Sequence, residues 1–87
     1  MKLRSRADYL AEKMVFQYGS SIHDAATLQR YLLSMRKILG RYLDAYASEQ
    51  QQRLMHCIQI RFYRKIRMSE GIILPESKLK EILQKEL

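Results

Sequence analysis

Apolar residues return every three or four positions along most of this 87-residue chain, a spacing that places them on one side of an α-helix. In the first segment, KLRSRADYLAEKMVFQYG, the stripe is Leu3, Ala7, Leu10, Met14 and Tyr18. Ser5 followed by Asp8 reads as a capping box that starts regular helix near residue 6, and Gly19 with Ser20 and Ser21 ends it. Tyr9 and Phe16, seven residues apart, lie on a different face. Either a neighbouring helix covers them or they form a contact patch.

The second segment, DAATLQRYLLSMRKILGRYLDAYA, carries Leu28, Tyr31, Leu32, Met35, Ile38, Leu39, Tyr42, Leu43 and Tyr46 on an arc of roughly 140°. Asp24 or Ser21 supplies its N-terminal cap. Arg30, Ser34, Lys37 and Arg41 occupy the opposite face. Gly40 inside the pattern costs about 1 kcal/mol of helix propensity relative to Ala, which a close helix–helix crossing would explain. The pattern resets between Ala47 and Gln51, where Ser48 and Gln51 match a second capping box. The competing arrangement is one continuous rod from residue 24 to 68, roughly 65–70 Å long, which would require a dimer to cover it.

In the third segment Leu54, Met55, Ile58, Phe62 and Ile66 share an arc of roughly 120°. Arg53, Arg61, Arg64, Lys65 and Arg67 take much of the remaining circumference, with His56 and Tyr63 at one border. Gly71 is placed to cap the C-terminus. Ile72–Leu74 reads as a connection or short extended segment. A last amphipathic helix starts near Pro75, with Leu79, Ile82, Leu83 and Leu87 on its apolar side and Glu76–Lys80 and Glu81–Lys85 as i,i+4 pairs. The expected fold is therefore all-α: a single domain over residues 1–87, built as a four-helix antiparallel bundle with helices two and three as its main hairpin.

Composition adds the surface. The chain is 47% hydrophobic and 29% charged, as an ordered domain requires. Sixteen Lys and Arg against nine Asp and Glu give a net charge of +7, favouring a polyanionic partner. Cys57 is the only cysteine, so no internal disulfide forms. The charged N-terminal stretch lacks the apolar core of a signal peptide, and no run is long enough to span a membrane. These features point to a cytoplasmic protein, or a nuclear one in a eukaryote.

Catalytic chemistry has no constellation to support it. His23 and His56 stand apart from any partner in sequence, and general-base catalysis needs a positioned pair. Cys57 adjoins His56, but neighbours on a helix point about 100° apart, so a thiolate–imidazolium couple is disfavoured. Zinc-ligand spacings and glycine-rich phosphate loops are absent from the sequence. No enzyme activity, cofactor or metal is expected.

The basic residues carry more. Residues 25–43 hold Arg30, Arg36, Lys37 and Arg41 without an acid, and residues 50–69 hold Arg53, Arg61, Arg64, Lys65 and Arg67 without one. Ordinary soluble helices interleave Glu with Lys to gain i,i+4 support; these two forgo it. Arginines present bidentate donors to phosphate or carboxylate. The expected function is nucleic-acid binding, to DNA or RNA, through phosphate contacts by Arg53, Arg61, Arg64, Lys65 and Arg67, with Arg30, Lys37 and Arg41. Gln50, Gln51 and Gln52 are placed either to read base edges or simply to face solvent.

The alternative is a non-enzymatic adaptor, docking an acidic protein surface, a second copy or a larger complex. Six tyrosines and five methionines make an adaptable apolar surface. Tyr31, Met35, Tyr42, Tyr46, Tyr9 and Phe16 are its candidate interface residues, since the stripe on helix two is wider than one short neighbour covers. An amphipathic membrane-surface helix over residues 53–68 is a third reading, at the expense of the core. The run IRFYRKIRMSEGIILP, residues 60–75, resembles the helix-to-helix passage in the helical domain of GINS replication-complex subunits, where an arginine-rich helix leads to a similar Leu-Pro. That resemblance covers sixteen residues and would imply a place within a replication assembly.

Overall fold

The computed structural model describes residues 3–85, with side chains described from Arg4 to Leu83. Every regular element among them is helical: α1 (Leu3–Tyr18), α2 (Ala25–Leu33), α3 (Met35–Leu39), α4 (Ser48–Glu70) and α5 (Glu76–Lys85). Short 3-10 turns follow α1 at Gly19–Ser21 and α3 at Gly40–Tyr42. None of these helices is long and apolar enough to cross a membrane.

The all-α expectation holds, but the element count and the pairing differ. There are five helices among the described residues, because the expected second helix is divided at Ser34 and stops at Gly40. Gly40 adopts φ 41°, ψ −114°, a backbone conformation that side chains oppose. A Cβ there would meet nothing within 4 Å, so the close crossing expected at this glycine is replaced by a conformational stop. Gly71 closes α4 as expected, at φ 70° with its N–H on the Arg67 carbonyl.

α4 packs most extensively on α1 rather than on the α2–α3 segment. Asp8 meets Arg61 and Glu12 meets Lys65, while Phe16 shares a groove with Met68 and Ser69. Positions rise together along both helices, so α1 and α4 run side by side in the same direction. The α2–α3 segment runs opposite: the tilted rings of Tyr18 and Tyr31 lie 5.3 Å apart, and Lys13 reaches Tyr42. Ala7 and Ala11 are fully buried in α1 and their small side chains permit close approach. A helix broken at Ser34 and Gly40 cannot offer α4 a long continuous face, which is why the expected main hairpin does not form.

The buried residues make one core, including Leu10, Met14, Leu28, Leu32, Met35, Leu54, Ile58, Phe62 and Ile82. α4, at 23 residues, spans about 34 Å and matches the longest dimension of 33 Å; the continuous rod is thus excluded. The break falls where expected, with α4 starting at Ser48, but its cap differs. Gln51 Nε2 donates to the Tyr46 carbonyl instead of completing a box with Ser48. Ser5 likewise lies inside α1, which has already begun at Leu3. Asp24 caps α2, its Oδ1 accepting the Thr27 N–H at 2.7 Å. α5 follows Pro75 and carries the Glu76–Lys80 pair at 3.7 Å. The expected roles of Leu3, Lys85 and Leu87 fall on side chains outside the described residues.

Candidate nucleic-acid interface

α4 sets its basic side chains by rotation about its axis, and the structure sorts them into two groups. Arg61 and Lys65 turn toward α1. Arg61 lies 3.7 Å from Asp8, and Lys65 lies 3.4 Å from both Asp8 and Glu12. These two cations form part of an interhelical clamp, which corrects their assignment to an open stripe. Arg53, Arg64 and Arg67 are exposed and make no ion pair with a carboxylate among the described residues. At 100° per residue they share an arc of roughly 60°.

Arg30, Lys37 and Arg41 are also exposed, but on the α2–α3 segment rather than on α4. Arg30 borders a shallow groove with Thr27, Tyr31, Ser34 and Ile38. Arg41 instead joins residues of α1. Arg6, Arg41, Tyr42, Ala45 and Tyr46 line a groove of about 590 Å³. The Arg6 guanidinium lies 5.4 Å from the Tyr9 ring centre and 5.9 Å from that of Tyr42. Lys13 Nζ stands 4.9 Å from the Tyr42 ring centre and donates to its hydroxyl at 2.6 Å. That hydrogen bond, followed by the Lys13 charge, lowers the Tyr42 phenol from its ordinary value; Arg41 and Arg6 act in the same direction. The same bond raises Lys13.

Arg6 and Lys13 were not among the residues singled out from the sequence. A signal was present, since Arg6, Tyr9 and Lys13 recur at helical spacing on one face of α1. Their convergence on Tyr42 depends on the packing of α1 against the turn after α3.

The candidate interface residues separate as well. Met35 is completely buried, so it belongs to the core and cannot present an interface. Tyr31, Tyr42 and Tyr46 are half-buried against that core. The wide apolar arc of the second segment is covered from within, by α1, α4 and α5 together. Tyr9 and Phe16 are not covered by a neighbouring helix: they are 51% and 91% exposed, and Met68 across the groove is 88% exposed. With Glu12, Lys13, Val15, Lys65 and Ser69 they line a groove of about 890 Å³.

His56 and Cys57 are both half-buried on α4, about 100° apart around its axis; the His56 Nε2 is enclosed and has no hydrogen-bond partner among the described residues. Among the described residues no group of three His, Cys, Asp or Glu side chains is placed to hold a metal ion. Comparison with protein-family models, curated proteins and solved structures gives no match to this chain.

Proposed function

We propose that the protein binds a nucleic-acid backbone, with little base specificity, through the outward face of α4. The observation that carries this reading is the exposure of Arg53, Arg64 and Arg67 on one face without a carboxylate against them. Arg53 and Arg64 are eleven residues apart, close to three helical turns and roughly 16 Å along the axis. Arg67 lies one further turn along. Such a row can follow a line of phosphates, and its contacts would release counterions. Replacing all three by Gln should weaken binding to unrelated sequences alike and flatten the salt dependence by about three counterions. Arg61→Gln should have a smaller effect, because Arg61 is already engaged by Asp8. Absence of binding at low salt by the folded protein, or a triple variant that binds unchanged, would defeat the reading.

A second reading, self-association, is favoured by the exposure of Phe16 and Met68 across one groove. Its rim holds Glu12 together with Lys13 and Lys65, a mixture of signs that an inverted second copy could match under two-fold symmetry. Sedimentation equilibrium should then show a dimer that Phe16→Glu with Met68→Glu converts to a folded monomer. A monomer at high protein concentration would eliminate it.

A further inference from the structure

The groove between α1 and the Gly40–Tyr42 turn gathers three cations around one phenol. Arg6 and Arg41 line it, and Lys13 is bonded to the Tyr42 hydroxyl on its border. No carboxylate lies among the lining residues. Like charges held together in this way repel one another, and the faces of Tyr9 and Tyr42 offset only part of that repulsion. A second observation concerns the direction of the hydrogen bond. Lys13 has only N–H donors, so the Tyr42 oxygen accepts, and the Tyr42 O–H proton remains to be donated. Among the described residues it has no acceptor. The groove therefore places a hydroxyl donor beside guanidinium and ammonium groups, a donor set suited to an oxyanion.

We infer that Arg6, Lys13, Arg41 and Tyr42 form a binding site for a single phosphate group, supplied by a nucleic-acid phosphodiester. The phosphate oxygens would take the Tyr42 O–H and the guanidinium N–H donors, and the two arginines can each approach through paired N–H groups. The choice of a phosphodiester as the source rests on the nucleic-acid reading of α4; the phosphate chemistry of the groove does not. The site thus adds a localised contact to a binding mode that is otherwise a row of surface charges.

The test follows tyrosine-ring and backbone resonances of the whole protein during titration with inorganic phosphate, at ionic strength held constant with chloride. Saturable shifts centred on Tyr42, Lys13 and Arg41 are expected. The pair Arg6→Gln with Arg41→Gln should weaken binding at least tenfold, Tyr42→Phe several-fold, and Arg64→Gln not at all. Shifts that do not saturate, or that spread evenly over all basic residues, would overturn the site. In a second arm, a short single-stranded oligonucleotide without terminal phosphates should displace the bound phosphate. Displacement by a phosphoserine peptide but not by the oligonucleotide would overturn the nucleic-acid source. Loss of the phosphate titration with an intact effect of the α4 triple variant would defeat this site alone. The reverse pattern would defeat the α4 reading and leave the site standing.

Discussion

Tyr63 shows how much one hydroxyl can hold in a chain this small. Its ring is buried against the core, and its oxygen accepts the Leu74 N–H at 2.9 Å while its O–H donates to the Leu74 carbonyl at 3.3 Å. The connection into α5 has no regular backbone ladder of its own, so this hydroxyl satisfies both polar groups of a buried residue. Tyr63→Phe should cost about 1–3 kcal/mol by leaving those groups unpaired, read as a lower denaturation midpoint. Hydrogen exchange should show the Leu74 amide losing protection while α1 keeps its own. Asp24 gives a pH dependence. The Thr27 N–H, then the Thr27 hydroxyl, hold its carboxyl below the ordinary value. A lowered folded value means the cap contributes fully above the unfolded value of about 3.9 and is lost as pH falls through the folded one. Amide exchange at Thr27 should accelerate in that acid range, and Asp24→Asn, which keeps a capping oxygen, should remove the dependence. The sequence narrowed the cap to Asp24 or Ser21 because it is a contact between residues three apart, and the structure chose Asp24.

At the scale of elements the decisive residue is Gln59. It is fully buried, and its Nε2 donates to the Leu32 carbonyl at 2.8 Å. In an uninterrupted helix that carbonyl would face the amide four residues on; a side chain inserted there is a recognised cause of a kink. The break between α2 and α3 lies two residues away, at Ser34. Gln59→Leu keeps most of the volume but deletes the donor. It should destabilise the protein by about 1 kcal/mol, since losing the donor is partly offset by removing the buried, unpartnered Gln59 Oε1, and change amide exchange between residues 34 and 38 without affecting α1. Sequence reasoning passed over Gln59 because its amide reads as polar, although its position lies at the edge of the apolar arc of α4, between Ile66 and Tyr63. Arc position was the available signal; the carbonyl it serves lies 27 residues away.

Across the whole molecule, pairing of α1 with α4 decides which charges reach solvent. Asp8 and Glu12 draw Arg61 and Lys65 inward, leaving Arg53, Arg64 and Arg67 outward. These ion pairs are partly exposed, so each contributes less than about 1 kcal/mol; their larger effect is on the field. Asp8→Asn removes one negative charge, taking the net charge from +7 to +8, and releases Arg61. If α4 grips phosphates, this variant should bind nucleic acid more tightly and with a salt slope steeper by about one counterion, while its denaturation midpoint barely moves. A variant that binds less tightly would show that Asp8 instead positions a contact residue.

The sequence by itself determined the helical class, the stops at Gly19 and Gly71, a cap from Asp24 or Ser21, and most of the core. Each of these follows from neighbours along the chain, where three- and four-residue spacing and local capping act directly. Tertiary structure decided that α1 lies beside α4, that the second segment breaks at Ser34, and that Met35 is core while Phe16 is surface. It also decided which cations are engaged and which converge on Tyr42. Periodicity specifies the face a helix buries but not the helix that covers it. The pairs that settle the surface, Lys13 with Tyr42 and Lys65 with Glu12, are 29 and 53 residues apart, and only packing brings them together.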